Sequence, residues 1–394
     1  MPDLAKIILR NHKIDAVKRF HPWIFSGAIK EMEGEVKEGA IVEVYSDRGE
    51  YLATGLYNPS NIAVKILSFP KVSDIAQLFR EKFQNAYQLR QQIGLVDNPK
   101  TNCYRLINAE GDGLPSLIVD WYNGTAVIQA YSLALYQRLD LIVDCLKTIY
   151  ADNLRAIYDK SAAVLAKSAH ISENKYLFGQ KTGDEVLESG HRFIIDWEKG
   201  QKTGFFLDQR ENRALLAQYC QNKRVLNTFS YSGGFSVYAM QAGAALVHSV
   251  DSSHGAIDLT EKNIALNNLG EVPHQSYSTD VFNFLRDCQE DYDLIVLDPP
   301  AFAKSIQSRH QAVMAYKRLN YQAFQKIRPQ GIIFTFSCSQ VVNEEHFQGA
   351  VMAAAIESAR PVRILARLNQ PADHPTSIYH SEGSYLKGLV LAVD

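Results

Sequence analysis

Between Val225 and Ser339 short, almost wholly apolar runs alternate with stretches of helical period, and no other feature restricts the fold of this chain so much. The runs are RVLNTF, LVHSVD, YDLIVLDPP and GIIFTFSCS. Apolar runs without polar alternation suit strands buried on both faces, and helices between them supply the covering layers of a parallel, doubly wound α/β sheet. Helical spacing predicts helices near 254–269, 311–328 and 343–358, with a shorter one over 281–287. Gly270 and Pro329-Gln330-Gly331 read as the stops of the first and second of these.

The text before this region has other periods. From Ile41 to Leu67, short alternating runs broken by Asp47-Arg48-Gly49 and Asn58-Pro59-Ser60 predict a small β domain. Ile75, Leu78, Phe79, Phe83, Ala86 and Leu89 then recur at three and four, which predicts an amphipathic helix within Val72 to Leu95. EGDGLPSLIVDWYNGTAVIQAY contains two β-like runs hinged on turn residues, and Leu133 to Tyr150 returns to helical period. Three regions are therefore expected: 1–72, a small β domain; 73–195, a mixed α/β middle; and 196–394, the doubly wound domain. A chain of 394 residues is long enough for each to bury a core.

Acidic and basic residues nearly balance, at 43 and 41. That sum does not single out nucleic acid, but its distribution matters more. Lys6, Arg10, Lys13, Lys18, Arg19 and Lys30 face only Asp3 and Asp15 in the first 30 residues, so this segment is locally basic. No run reaches the roughly 18 apolar residues of a membrane span, and the N-terminus lacks the pattern of a signal peptide, so a cytoplasmic protein with no membrane partner is expected. The five cysteines, Cys103, Cys145, Cys220, Cys288 and Cys338, form no CxxC pair and no Cys/His cluster. Neither a metal site nor disulfides are expected, and the ordinary fate of such thiols is burial as small hydrophobes.

Open α/β sheets bind ligands beyond the carboxyl ends of their strands. The first strand leads into Asn227-Thr228-Phe229-Ser230-Tyr231-Ser232-Gly233-Gly234, a turn with two glycines that lacks the three-glycine spacing admitting a pyrophosphate. Asp251 ends the second strand, where a carboxylate can accept both hydroxyls of a ribose. Asp280 follows the third, placed to accept from an adenine amine. Either Asp alone reads as a helix N-cap. Together with the glycine turn they describe a nucleoside site without phosphate contacts, the requirement of S-adenosylmethionine. After the fourth strand, two prolines hold Asp298 rigidly at the sheet edge. After the fifth, Ser337-Cys338-Ser339 points a thiol at the same edge.

HPWIFSGAI, EGDGLPSLIVD, GQKTGFFLDQRENR, VLNTFSYSGGFSVYA, DPPAFAKS and FSCS carry a resemblance that spans nearly the whole chain. The sequence resembles the large-subunit ribosomal RNA cytosine-C5 methyltransferases, which join an N-terminal PUA domain to a class I, Rossmann-like S-adenosylmethionine domain. The resemblance makes 1–72 a PUA-like RNA-binding domain and 196–394 the methyltransferase. It implies Cys338 as nucleophile, with Asp298 orienting the cytosine. Contacts to the cofactor are implied for Phe229, Tyr231, Ser232 and Gly233, and for Asp251, Asp280, Asp298 and Pro299. Lys202, Gln209, Arg210, Phe302 and Lys304 would meet the substrate, and Lys6, Arg10, Lys13, Lys18 and Arg19 the RNA backbone.

Two departures from the family pattern stand out. Gln340-Val341-Val342 follows FSCS where many relatives have His or Gly, and Lys65 replaces a common Arg, losing a bidentate phosphate partner. Trp23 and Phe25 read as core or as stacking platforms, and isolated aromatics in short β runs favour core. The expected partner is large-subunit ribosomal RNA, naked or in an early assembly intermediate, because a base must be unstacked to be modified. A homodimer is compatible with the sequence. Two other readings remain: a methyltransferase of the same fold acting on guanine or another substrate, and a non-catalytic RNA-binding assembly factor. The thiol at Cys338 favours cytosine over guanine, and intact Asp251, Asp280, Asp298 and Cys338 weigh against a bare scaffold.

Overall fold

The computed structural model describes residues 4–169 and 173–394. The chain divides into two compact units, each assembled from separate stretches. The first comprises Met1–Val186, Ile195–Phe205 and Ala372–Gly383, and the second Leu187–Ile194, Phe206–Pro371 and Ser384–Asp394.

The first unit holds two sheets. Six strands between Ala5 and Ser68 form one, with Trp23–Phe25 at one edge and Ile29–Glu33 at the other. The second has five strands, and its Leu117–Tyr122 and Thr125–Ala130 are the hairpin expected from the turn residues between them. The helix Ile75–Gln92 begins at Asp74, whose carboxylate accepts the Gln77 amide at 3.0 Å. Its buried Phe79, Phe83 and Ala86 pack with Leu56 and Leu67 of the first sheet and Leu106, Leu117 and Ile128 of the second, so one apolar core joins both sheets. Arg90 on the same helix is fully buried and donates twice to Asp112, at 2.5 and 2.8 Å, and once to the Asp373 carbonyl at 2.7 Å.

In the second unit the strands are β1 (Arg224–Thr228), β2 (Leu246–Asp251), β3 (His274–Ser278), β4 (Tyr292–Leu297), β5 (Ile327–Ser337), β6 (Val362–Leu368) and β7 (Lys387–Val393). They pair in the order β3-β2-β1-β4-β5-β7-β6, parallel through β5 and antiparallel on both sides of β7. Helices α1 (Arg210–Ala217), α2 (Gly234–Gln241), α3 (His254–Leu266), α4 (Val281–Asp287), α5 (Arg309–Lys326) and α6 (Glu344–Ser358) belong to the same unit. Strand order reverses between β1 and β4, which makes their carboxyl ends the topological switch point. Register lines up Tyr277, Val250, Thr228, Leu297, Thr335 and Leu389 in one row across the sheet.

Two helix stops differ from expectation. The helix α3 ends at Leu266, and Asn268, not Gly270, takes the left-handed conformation at φ 56°. Asn tolerates that region because its short amide bonds locally. The helix α5 already ends at Lys326, and Pro329-Gln330-Gly331 lies inside β5, where the register with β4 shifts and Gln330 adopts φ 64°. It is a bulge that lets the strand start early. Among the described residues no helix is long and apolar enough to cross a membrane.

Candidate active site

The residues of interest lie one to several positions beyond the aligned row at the carboxyl ends of β1 to β5. After β1, Phe229, Tyr231 and Gly233 alternate at φ 55°, 45° and 73°, so three left-handed residues fold Phe229–Gly233 into a tight loop. A Cβ on Gly233 would stand 2.7 Å from Thr260 Cγ2, so this glycine is required by α3 as well as by its own backbone angle. The loop is pinned from α3: the Thr260 hydroxyl donates to the Tyr231 carbonyl at 3.1 Å and the Asn263 amide to that of Ser232 at 2.8 Å. Left-handed Phe229 and Tyr231 carry a conformational cost of order 1–3 kcal/mol each, a pattern that clusters at ligand clamps.

The half-buried Asp251 accepts the Tyr231 amide at 3.0 Å and the Ser253 amide at 2.9 Å, one on each carboxylate oxygen. Ser253, not Asp251, caps α3. Two of the roughly four lone-pair positions of the carboxylate remain for a pair of hydroxyls. Asp280 also caps α4, accepting the Asn283 amide at 3.0 Å on one carboxylate oxygen.

On the other side of the switch point, the half-buried Asp298 and buried Pro299 follow β4, and Cys338 follows β5. The Cys338 thiol donates toward the Pro299 carbonyl at 3.8 Å. Ser339 Oγ donates to the Ala303 carbonyl at 2.7 Å, tying the Cys338 segment to the Pro-Pro loop. Tyr316 of α5 lies beneath: burial raises its phenol pKa, and the neighbouring charges of Cys338 and Asp298 act in the same direction. Phe302 is half-buried with its ring 4.8 Å from that of Tyr316, and Lys304 is exposed. Val342, from the departure after FSCS, is fully buried in the core of this unit.

Other expected residues are placed differently. Lys202 belongs to the first unit, whereas Gln209 and Arg210 are buried in the second. Gln209 accepts the Asn212 amide at 2.6 Å, and Arg210 donates to Glu211 at 3.2 Å. Three residues on, Arg213 makes two bonds to the fully buried Glu188, at 2.8 and 2.7 Å, and Tyr238 donates to the same carboxylate at 3.1 Å. Much of GQKTGFFLDQRENR is thus occupied in holding the unit together.

In the first unit, Arg10, Lys13, Lys18 and Arg19 are exposed, Lys18 pairs with Glu50 at 2.9 Å, and Lys6 is half-buried 5.7 Å from the centre of the Tyr45 ring. Lys65 is not a phosphate partner: its ammonium donates to Ser116 at 2.6 Å and lies 3.7 Å from Glu110. Phe25 departs from the core reading, with 49% of its surface exposed, because its short strand lies at the sheet edge. Trp23 is half-buried, donating to Glu110 at 2.9 Å.

Lys387 had no place in the sequence reading. Antiparallel pairing of β7 sets it opposite Ser337, and its ammonium donates to the Ser339 carbonyl at 2.7 Å, one residue beyond Cys338. Its only sequence signal is a charge opening the apolar run GLVLAV.

Residues 105–389 match the family described as S-adenosylmethionine-dependent methyltransferase, and residues 7–69 match a PUA-like domain. The chain belongs to this methyltransferase family. Relatives named ribosomal RNA large subunit methyltransferase I include one from Alteromonas mediterranea, 37% identical, with 99% of each chain covered. Another, from Tolumonas auensis, is 38% identical over 98% of each. Among solved structures, a Streptococcus mutans protein described as a candidate S-adenosylmethionine-dependent methyltransferase superposes with a TM-score of 0.85 at 25% identity, over 98% of this chain and 100% of that one. A second structure with the same figures is of a candidate methyltransferase complexed with S-adenosylhomocysteine.

This S-adenosylmethionine-dependent methyltransferase has residues that suit its cofactor. The Phe229–Gly233 loop is held by bonds to Asp251, Thr260 and Asn263 and by the Ser230 amide on the Val250 carbonyl. The Asp251 carboxylate stands at the end of β2 and the Cys338 thiol just beyond β5, on the two sides of the switch point.

Proposed function

We propose that this methyltransferase modifies C5 of a cytosine in large-subunit ribosomal RNA through a covalent bond between Cys338 Sγ and C6 of the base. The observation that carries the reading is the convergence of Cys338 with the Asp298-Pro299 turn at neighbouring strand ends, beside the cofactor loop. The names of its relatives support the RNA class.

The cofactor, when bound, supplies an electrophilic methyl group. Phe229, Tyr231, Ser232 and Gly233, with Asp251, Asp280 and Pro299, hold it. The C5 carbon of cytosine is too weak a nucleophile to take that methyl unaided. Addition of the Cys338 thiolate to C6 places electron density on C5, which forms the new carbon–carbon bond. Asp298 accepts from the exocyclic amine and orients the ring. Loss of the C5 proton to a base then expels Cys338 as thiolate and restores the aromatic ring. Phe302 and Lys304, on the Asp298 turn, and Lys202, Gln209 and Arg210 attend the RNA.

Residues 1–72 supply RNA affinity through Lys6, Arg10, Lys13, Lys18 and Arg19, 73–195 form the middle domain, and 196–394 carry the chemistry. The substrate is naked ribosomal RNA or an early assembly intermediate, in which the target base is free to unstack. The site of action in this reading is the cytoplasm.

The test is nucleoside mass spectrometry after incubation with S-adenosylmethionine and unmethylated ribosomal RNA. The wild type produces 5-methylcytosine and Cys338→Ala none, with cofactor binding intact. RNA carrying 5-fluorocytosine at the target traps an adduct. A Cys338→Ala enzyme that still forms 5-methylcytosine overturns the covalent Cys338 step, and a methylated guanine in place of 5-methylcytosine from the wild type overturns the cytosine reading.

A further inference from the structure

We infer that Lys387 is the residue that activates Cys338, taking the thiol proton and holding the sulfur as a thiolate against its ammonium. The inference rests on the nucleophile reading above and adds to it the group that makes the nucleophile.

The geometry starts with the sheet. Antiparallel pairing of β7 with β5 runs from Gly331↔Val393 to Ser337↔Lys387, so Lys387 is fixed at the last rung of a seven-rung ladder, immediately before Cys338. Its Nζ is anchored by the Ser339 carbonyl at 2.7 Å, one residue beyond Cys338. The flanking residues are rigid: Ser337 and Ser339 are fully buried, and Gly388 has no room for a side chain, since a Cβ would stand 2.6 Å from the Phe336 ring.

Desolvation then decides the protonation. Burial draws the Lys387 pKa down to about 8, and a negative sulfur at Cys338 acts against that fall. The amine is therefore poised near neutrality, where it exchanges a proton readily. Asp298 and Tyr316 also face this point, since Asp298 and Cys338 both act on Tyr316. A negative Asp298 opposes ionisation of the thiol, burial keeps Tyr316 neutral, and Lys387 is a cation that favours the thiolate. The step balances simply: the S–H bond breaks, its electron pair stays on sulfur, and the proton forms an N–H bond on Lys387. Expulsion of Cys338 at the end of the cycle regenerates the same thiolate–ammonium pair.

An opposite charge within about 4–6 Å lowers a pKa by about 1–3 units. The readout is the pH profile of Cys338 alkylation by iodoacetamide in the full-length protein, in a Cys288→Ser background. Cys103, Cys145 and Cys220 are buried, so Cys338 then reports alone. Lys387→Met should raise the midpoint of the profile by about one unit or more, and Lys387→Arg, which keeps the charge, should restore at least half of the shift. Calorimetric binding of S-adenosylmethionine at wild-type affinity shows that each variant is folded. Identical midpoints for wild type and Lys387→Met overturn the inference, whatever the adduct experiment gives. A shifted midpoint without an adduct upholds the thiolate–ammonium pair and removes the cytosine reading instead.

Discussion

Adding a methyl group at Gly233 separates two requirements that coincide at this position. The first is conformational: φ is 73°, where an alanine costs about 1–2 kcal/mol. The second is steric, because the new Cβ would stand 2.7 Å from Thr260 Cγ2 and 3.1 Å from its Cβ and hydroxyl. Thr260 is fully buried on α3 and bonded to the Tyr231 carbonyl, so it has little freedom to retreat. Overpacking of this kind adds about 1–3 kcal/mol, and Gly233→Ala is expected to destabilise the protein by about 2–5 kcal/mol in total. Thr260→Ser removes Cγ2, costs about 1 kcal/mol for the lost buried methyl, and keeps the hydroxyl. In the double variant the 2.7 Å contact is gone, while the 3.1 Å contacts and the φ part stay, which gives a favourable coupling of up to about 1–3 kcal/mol. Urea unfolding of the four proteins, with calorimetry of S-adenosylmethionine on each, completes the cycle. Additivity within about 0.5 kcal/mol would refute the packing argument, and complete rescue would refute the backbone one.

Three further outcomes are expected. Asp251→Ala should weaken S-adenosylmethionine binding by about 1–3 kcal/mol, the loss of a charged acceptor, and equal calorimetric affinities would take Asp251 out of the site. Glu188→Gln leaves Arg213 buried against a neutral partner, and Glu188→Ala takes away its carboxylate and leaves the Phe206 carbonyl at 3.1 Å, so chemical denaturation should show a loss rising toward about 3–5 kcal/mol for Ala; a loss below 1 kcal/mol in both would mean that water replaces the carboxylate. Charge reversal at Lys6, Arg10 and Lys13 should raise the RNA dissociation constant and flatten its dependence on salt while S-adenosylmethionine binding stays unchanged. An unaltered salt slope would show that these side chains do not meet phosphate.

Period and strand-end position made the second sheet readable, because buried parallel strands leave uninterrupted apolar text and the carboxyl ends follow directly. Asp251, Asp298 and Cys338 fell at the expected edge for that reason. Local chemistry was less legible where two roles use one residue type. Asp280 caps a helix, as many Asp residues do, while Ser253 takes that task beside Asp251. Pro329-Gln330-Gly331 has the composition of a stop yet forms a bulge, since only pairing with β4 distinguishes the two. Contacts distant in sequence left no local trace: Arg213 finds Glu188, Lys65 finds Ser116, and Lys387 reaches the Ser339 carbonyl through a strand pairing that no periodicity encodes.

The passage of Ala372–Gly383 into the first unit sets a timetable for synthesis. Arg90 bonds a carbonyl 283 residues further along the chain, and the Arg105 amide is accepted by the Asp373 carboxylate at 3.0 Å. At roughly 5–20 residues per second on the ribosome, the gap between the two lasts on the order of 15–60 s. Through that interval the nascent first unit holds a buried guanidinium that has Asp112 but not its final carbonyl; β5, made near its end, then waits for β7. Both units therefore close only once Ala372–Asp394 has emerged, and a chain halted short of Asp373 would leave each of them unfinished.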